Sequence, residues 1–386
     1  MTTSQLEPSE IAACLLVDDL TDPASGDHAM QALLTNIVEQ LSNQWAIPTR
    51  TLRSRPLVSI EDNYDRLGYE PAAVTRDRRY TRYTSDTTML RSHTSAGVPP
   101  ALRDLAGEQH PPADVLLVLP GLTYRRDVID RLHVGTPHQL DLWRITRARP
   151  MTRTDLHDMI ATLVEATIPG ARWRTEPAEH PYTEHGRQVD VEADGEWVEL
   201  AECGLAADHV LARAGLDPNR WTGLALGTGL DRALMLRKQI PDIRLLRAQD
   251  PRIAAQMLDL MPWRPVSMMP PVRRDLSIVA ETTTDAELLG DRARAALGAD
   301  ADTLESLTVR AVTAHEQLPT PAQERLGTQP GQANLLVRVI LRPVDSTLTD
   351  HQANALRDRI YAALHDGPRM EWATPADGGD QARAQP

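Results

Sequence analysis

Residues 223–246 read GLALGTGLDRALMLRKQIPDIRLL. Apolar residues alternate with glycines as far as Gly229, and then the pattern becomes helical, opening on Asp231 and Arg232. Glycine inside a strand marks a place where a ligand or another backbone comes close. The spacing of Gly223, Gly227 and Gly229 is not that of a dinucleotide fingerprint, and no phosphate-loop lysine follows. A flat ligand such as adenine could lie on these glycines while Arg232 reaches its phosphates. A close-packed strand–helix corner explains the stretch alone equally well.

Working outward, GRQVDVEADGEWVELAECG (186–204) holds an Asp-Gly pair between two alternating runs, the signature of a hairpin. HQLDLWRITRA (138–148) reads as a strand turning Leu140, Leu142 and Ile145 inward. ADVLLVLPGLTYRRDVID (113–130) reads as a buried strand, a Pro-Gly break, and a second strand carrying charge. Two amphipathic helices accompany them: one before them, over His28–Leu41, and one over 151–168 opened by Thr152 or Thr154 as cap. Strands joined by hairpins predict an α+β fold with a mainly antiparallel sheet flanked by helices. Past a proline-rich linker at 261–275, the order β-α-β-β-α-β, with a last strand near Met370–Trp372, predicts a ferredoxin-like (split βαβ) domain.

At 386 residues the chain is long enough for two or three cores. No run of 18 apolar residues and no basic-then-apolar start is present, so we expect a cytoplasmic protein without a membrane span. Cys14 and Cys203 cannot build a disulfide framework and lack metal-ligand spacing. A net charge of −13 argues against a protein that coats nucleic acid non-specifically, though a local basic face would still suffice for one partner. Phenylalanine is absent altogether. Arg125, Arg126, Asp127 and Asp130 could clamp a phosphate or simply lace a solvated strand with ion pairs. His138 and Gln139 suit satisfied polar groups at least as well as ligands.

The combination is more specific than its parts. RSHTS (91–95), YRRDVID (124–130) followed by His133 and then His138–Gln139, EWVELAECG (196–204), the stretch 223–252 and MPPVRRDLSIV (269–279) stand in one order. In that order the sequence resembles the phenylalanyl-tRNA synthetases of class II. The likeness covers roughly residues 20–370 and is greatest to the single-chain, mitochondrial-like form with a fused anticodon-binding domain. It implies a flexible N-terminus (1–15), a catalytic domain (16–262), a ferredoxin-like anticodon-binding domain (263–373) and a disordered tail (374–386).

The resemblance also implies roles. Arg125 matches the arginine on the ATP α-phosphate, Asp127 its acidic partner, and His133 a further ATP-side residue. Arg232 matches the arginine on the γ-phosphate side, with Asp231 where the family usually has glutamate. Glu199 matches the carboxylate that helps hold ATP-bound Mg²⁺. Gly227 and Gly229 line the nucleotide. His93 and Ser95 line the amino-acid site, Gln139 and Asp141 receive the ammonium, and Ala225 floors the side-chain pocket. His180 and Tyr182 stand where the family grips its substrate ring with two phenylalanines, and Leu142 replaces a small residue beside the ammonium site.

The implied activity is ATP-dependent activation of an aromatic amino acid, phenylalanine or a modified analogue, with transfer to tRNA-Phe by a monomer or homodimer. Two alternatives accompany it. One is a tRNA-independent amino-acid ligase, like the paralogues found with actinobacterial natural-product pathways. The other is a backup or resistance phenylalanyl-tRNA synthetase, for which a phenylalanine-free composition would be an advantage.

Overall fold

The structure, a computed structural model, describes residues 5–77, 81–125, 130–265, 270–344 and 346–368. The chain divides into two compact units, one of Met1–Arg126 with Leu132–Val266 and one of Asp127–Arg131 with Ser267–Pro386. No helix of the described residues is long and apolar enough to cross a membrane.

The first unit runs α1 (Pro8–Leu15), α2 (Ala29–Trp45), β1 (Thr49–Thr51), β2 (Leu57–Ser59), α3 (Ile60–Asn63), β3 (Thr88–Leu90), α4 (Val98–Gly107), β4 (Asp114–Leu122) and β5 (His138–Thr146). It continues with α5 (Arg153–Thr167), β6 (Trp173–Pro177), β7 (Thr183–Ala193), β8 (Glu196–Ala206), α6 (Asp208–Arg213), β9 (Thr222–Gly229), α7 (Leu230–Lys238) and α8 (Pro251–Ala254). Seven of these strands form one sheet, in the order β1-β4-β5-β9-β8-β7-β6. Every pair is antiparallel except β1 with β4.

Strand alternation sorts the side chains onto two faces. On one, Leu140 and Leu142 of β5 pair with Thr228 and Leu226 of β9; α5 and α7 pack against the sheet and against α2. On the other, Gln139, Asp141 and Trp143 pair with Gly229, Gly227 and Ala225. Part of that second face is closed by an apolar cluster from Val98, Leu102 and Leu105 of α4 and Val210 and Leu211 of α6, with Trp143 and Ala225. What remains of it carries the polar groups described below.

Several expectations change. The stretch expected to be loose at the N-terminus holds α1, whose Glu7 and Glu10 form a reciprocal cap. Pro120–Gly121 does not break the strand, because β1 pairs with β4 only as far as Val118 and leaves Pro120 on an open edge. Gly121 has φ +150°, and a Cβ there would meet Arg91 Nη2 at 2.1 Å; Arg91 packs across it to donate from Nε to the Leu122 carbonyl at 2.6 Å. Leu142 lies on the helix face, opposite Asp141, so it cannot stand beside an ammonium site as expected. Its neighbour in sequence is on the other side of the sheet because a strand turns over at each residue. The Asp-Gly hairpin forms between β7 and β8, with φ +52° at Asp194 and +81° at Gly195.

The second unit runs β10 (Val272–Glu281), α9 (Ala286–Leu297), β11 (Leu304–Ala314), α10 (Thr320–Leu326), β12 (Gln332–Leu341) and α11 (Asp350–Leu364). Its antiparallel sheet has the order β10-β12-β11, and α9 and α11 bury Leu289, Ala293, Leu356 and Ile360 against it. β10 begins inside the stretch expected to be linker. The strand expected near Met370–Trp372 and the tail 374–386 lie outside the described residues.

Candidate active site

The polar face of the first sheet is built around Asp141. Alternation along β5 sends Gln139, Asp141 and Trp143 to this face, and the turn Thr94–Gly97 closes over them. Thr94 Oγ1 donates to Asp141 Oδ2 at 2.6 Å and Ser95 Oγ to Oδ1 at 2.8 Å, with Trp143 Nε1 at 3.4 Å from Oδ1. The Thr94 N–H donates to Gln139 Oε1 at 3.3 Å. Asp141 is only 3% exposed. Burial lifts its carboxyl above the ordinary value, against the pull of those hydrogen bonds.

An aromatic wall stands beside it. His93 stacks on Tyr69 at 5.7 Å between ring centroids and meets Tyr64 edge-on at 6.1 Å. Its burial, helped by the charge of Arg125, pushes the imidazole down to about 4, so the ring is neutral at neutral pH. Its Nδ1 is a buried polar atom with no hydrogen-bond partner among the described residues. Tyr182 lies within 6.2 Å of the Tyr69 ring, 6.1 Å of Trp143 and 5.7 Å of His180. Burial, then the nearby phenol of Tyr69 and the acids Asp141 and Glu202, raises its hydroxyl well above the usual range. His180 Nε2 is 3.0 Å from Glu202 Oε2, and Thr183 Oγ1 is 3.4 Å from His180 Nδ1. Ala225, between Trp143 and Gly204 in the sheet, is buried beneath this group.

At the other end stands Arg232, in the first turn of α7. Its Nη1 donates to the Glu199 carbonyl at 3.2 Å, its Nη2 is 3.2 Å from His133 Nε2, and the Glu199 carboxylate is 3.6 Å away. Glu199 reaches this face through an irregularity. β8 carries one residue more than β7 opposite it, so Val189 pairs with Ala201 but Asp190 with Glu199. The extra residue, Leu200, restores Glu199 to the face of Glu202, three positions on, which a regular strand would turn to the other side. Thr228 Oγ1 donates to the Leu200 carbonyl at 2.7 Å and satisfies the bulge.

Between the two ends the floor is clear. A Cβ on Gly227 would touch nothing nearer than Asp141 Oδ2 at 4.0 Å, and one on Gly229 would meet nothing within 4 Å. The backbone of Arg125 bridges to Thr81. Its charge is felt at both His93 and Glu202, so it borders the same face. Asp127 lies outside the described residues.

Asp231 does not face this space. It is buried, 3.0 Å from His138 Nδ1, and takes the His138 backbone N–H at 2.5 Å. His138 Nε2 accepts the Leu20 backbone N–H at 3.0 Å, which leaves Nδ1 as the donor to Asp231, and it also meets Arg247 at 3.1 Å. This pair bolts the start of α7 to the start of β5.

Among the described residues no group of three or more His, Cys, Asp and Glu side chains could hold a metal. Glu199, an accessible carboxylate beside Arg232, suits a hard cation that keeps its waters and takes its other ligands from nucleotide phosphates, as Mg²⁺ does. The structure therefore brings together His93, Ser95, Gln139, Asp141, His180, Tyr182 and Ala225 at one end, and Arg232, Glu199 and His133 at the other. Thr94, Tyr69, Trp143 and Glu202 belong to the same face and were not singled out from sequence. The signal for Trp143 was its position two residues beyond Asp141 on one strand.

Residues 32–257 match the family described as tRNA synthetases class II core domain (F). The phenylalanine–tRNA ligase alpha subunit of Nostoc punctiforme (strain ATCC 29133 / PCC 73102) is 35% identical over 194 residues, 50% of this chain and 56% of that protein. That of Prochlorococcus marinus (strain MIT 9313) is 32% identical over 243 residues, 62% of this chain and 69% of that protein. That of Synechocystis sp. (strain ATCC 27184 / PCC 6803 / Kazusa) is 30% identical over 259 residues, 66% of this chain and 76% of that protein. The chain thus spans about half the length of the first of these relatives.

Proposed function

Because the chain belongs to the class II tRNA synthetase core-domain family, we propose that it is a ligase that activates an amino acid with ATP, releasing pyrophosphate, and transfers the acyl group to tRNA-Phe. The amino acid is aromatic: phenylalanine or an analogue with a polar ring. The observation that carries this reading is a single sheet face with an aromatic, hydrogen-bonding end and a cationic end on either side of the open Gly227 and Gly229.

In this reading a carboxylate oxygen of the amino acid attacks the α-phosphorus, and the bond to pyrophosphate breaks. No side chain is needed as nucleophile, and the work is positioning and charge stabilisation. Arg125 meets the negative charge growing at the α-phosphate. Arg232, steadied by His133 and Glu199, lies along the outer phosphates. Glu199 would hold an ATP-bound Mg²⁺, which supplies neutralisation of phosphate charge. His93, neutral and half-buried, and Ser95 shape the amino-acid end, with His180 and Tyr182 beside the ring. Residues 16–262 serve as the catalytic part, in the cytoplasm, and 263–373 as the part that grips tRNA.

A second reading keeps adenylation and drops tRNA. It is favoured by the second unit, where Arg274, Arg292, Arg338, Arg342, Arg357 and Arg359 each pair with a carboxylate of that unit rather than forming a free basic stripe. ATP–pyrophosphate exchange over a panel of aromatic amino acids, followed by charging of tRNA-Phe, tests both. Exchange with charging upholds the first reading; exchange without charging transfers support to the second. Arg232→Ala is expected to lower kcat/KM for exchange by about two to three orders of magnitude. An unaffected variant would remove Arg232 from the phosphate site.

A further inference from the structure

Glu202 has no part in the adenylation chemistry above, yet it stands at the aromatic end of the same face. On β8 it is two residues from Gly204, the cross-strand partner of Ala225, and its own partner on β9 is Gly227. Gly204 and Gly227 raise no side chain and Ala225 only a methyl, so the carboxylate borders a low floor with Trp143 and Tyr182 beside it. Burial, and among the lesser causes the charge of Glu202, raises the phenols of both Tyr69 and Tyr182, which places all three groups around one space.

Glu202 is held as well as placed. Its Oε2 is 3.0 Å from His180 Nε2, and His180 Nδ1 is 3.4 Å from the Thr183 hydroxyl, so contacts at both nitrogens turn the imidazole toward the acid. The backbone beneath is pinned too. The Thr183 N–H donates to the His180 carbonyl at 3.2 Å and the Ala207 N–H to the Tyr182 carbonyl at 3.0 Å. The His180 hydrogen bond, and then the charge of Arg125, hold the Glu202 carboxyl below its ordinary value. The side chain is 43% exposed, and its second oxygen has lone pairs for another donor. A plain phenyl ring settling here would take water from a carboxylate and offer nothing in exchange, which is unfavourable. A ring that carries an O–H or N–H would replace that water with a charge-assisted hydrogen bond.

We propose that Glu202, oriented by His180, reads the side chain of the substrate: it accepts a hydrogen bond from a hydroxyl or amino group on the ring, so the amino acid activated is a donor-bearing aromatic one in preference to phenylalanine. The proposal rests on the amino-acid-activation reading above, in which the ammonium goes to Gln139 and Asp141. Its test sets donor-bearing acids against methyl isosteres that have the same size and no donor. Tyrosine and para-aminophenylalanine are matched by para-methylphenylalanine, and meta-tyrosine by meta-methylphenylalanine. In pyrophosphate exchange, kcat/KM for at least one donor-bearing acid is expected to exceed that for its isostere by at least about tenfold. Glu202→Leu, which has no acceptor, should bring the two within about twofold of each other. Glu202→Gln, which keeps the shape and a neutral acceptor, should fall in between. His180→Phe cannot donate to Glu202 and should also lose selectivity, part of which His180→Gln recovers; no recovery would remove the orienting role of His180.

Calorimetric binding of the same pairs needs no turnover. Selective binding of a donor-bearing acid that disappears in Glu202→Leu upholds the proposal even if no amino acid supports exchange, a result that would sink the ligase reading alone. Exchange in which phenylalanine or a methyl isostere does as well as every donor-bearing acid upholds the ligase reading and overturns the proposal. A preference for the donor that persists unchanged in both Glu202 variants overturns it as well, because another group would then read the ring.

Discussion

His93 packs between Tyr64 and Tyr69, within the field of Arg125, with its Nδ1 buried. Its imidazole sits at about 4 in the fold against an ordinary 6.5. Above pH 6.5 the ring is neutral whether the chain is folded or not, and the fold loses nothing. Below it the unfolded chain takes up a proton that the folded one refuses until about pH 4. The stabilising contribution is therefore whole above 6.5 and is lost as pH falls from there to 4, by about 3 kcal/mol in all. We expect the urea midpoint to drop between about pH 7 and pH 5 by clearly more in the parent than in His93→Gln. Parallel profiles would show that His93 takes up its proton as readily in the fold as in the unfolded chain, and would overturn the depressed value. Asp231 is a second case of burial deciding a role. The sequence sets it next to Arg232, yet it faces His138 and fastens α7 to β5.

At the scale of elements, strand β8 shows how one extra residue makes a site. Leu200 turns Glu199 back to the face of Glu202, and the hydroxyl of Thr228 on β9 holds the bulge carbonyl. Thr228→Val keeps the shape and removes that donor. It should cost about 1–3 kcal/mol through the unsatisfied carbonyl and raise KM for ATP, since Glu199 would no longer be held beside Arg232. A stability loss without any change in KM for ATP would mean that the bulge does not position Glu199. The helices were legible because each carries both period and cap. Thr152, Asp285 and Thr349 accept backbone N–H groups at the starts of α5, α9 and α11. β4 was misread because a Pro-Gly pair is a local stop signal, while its tolerance at the open end of an edge depends on where β1 ends.

Over the whole molecule the basic charge is almost all arginine. The sequence contains a single lysine, Lys238, at the end of α7. It is 1% exposed, and its Nζ donates at 2.7 Å to the carbonyls of Asp259 and of Met261. Burial depresses its pKa, so both access and charge are set by the fold. An amine-reactive ester should therefore leave Lys238 unmodified in the native protein and acylate it once denaturant is added, as read by mass spectrometry of the peptide that contains it. Rapid labelling in native buffer would mean that the 259–263 segment opens readily.

The sequence by itself determined the period and caps of the long helices, the Asp-Gly hairpin, the α+β character and the family likeness, because these are carried by neighbours within a few positions of one another. It also named most of the residues that meet on the polar face. The tertiary structure alone decided what those residues are able to do. Which carboxylate is buried among hydroxyls, which is exposed, and which side of a strand a residue occupies after a bulge depend on strands far apart in the chain. Asp141 and Glu202 are chemically similar letters in the sequence; only their pairing across Gly227, with a hydroxyl cage on one side and an accessible gap on the other, makes them different groups.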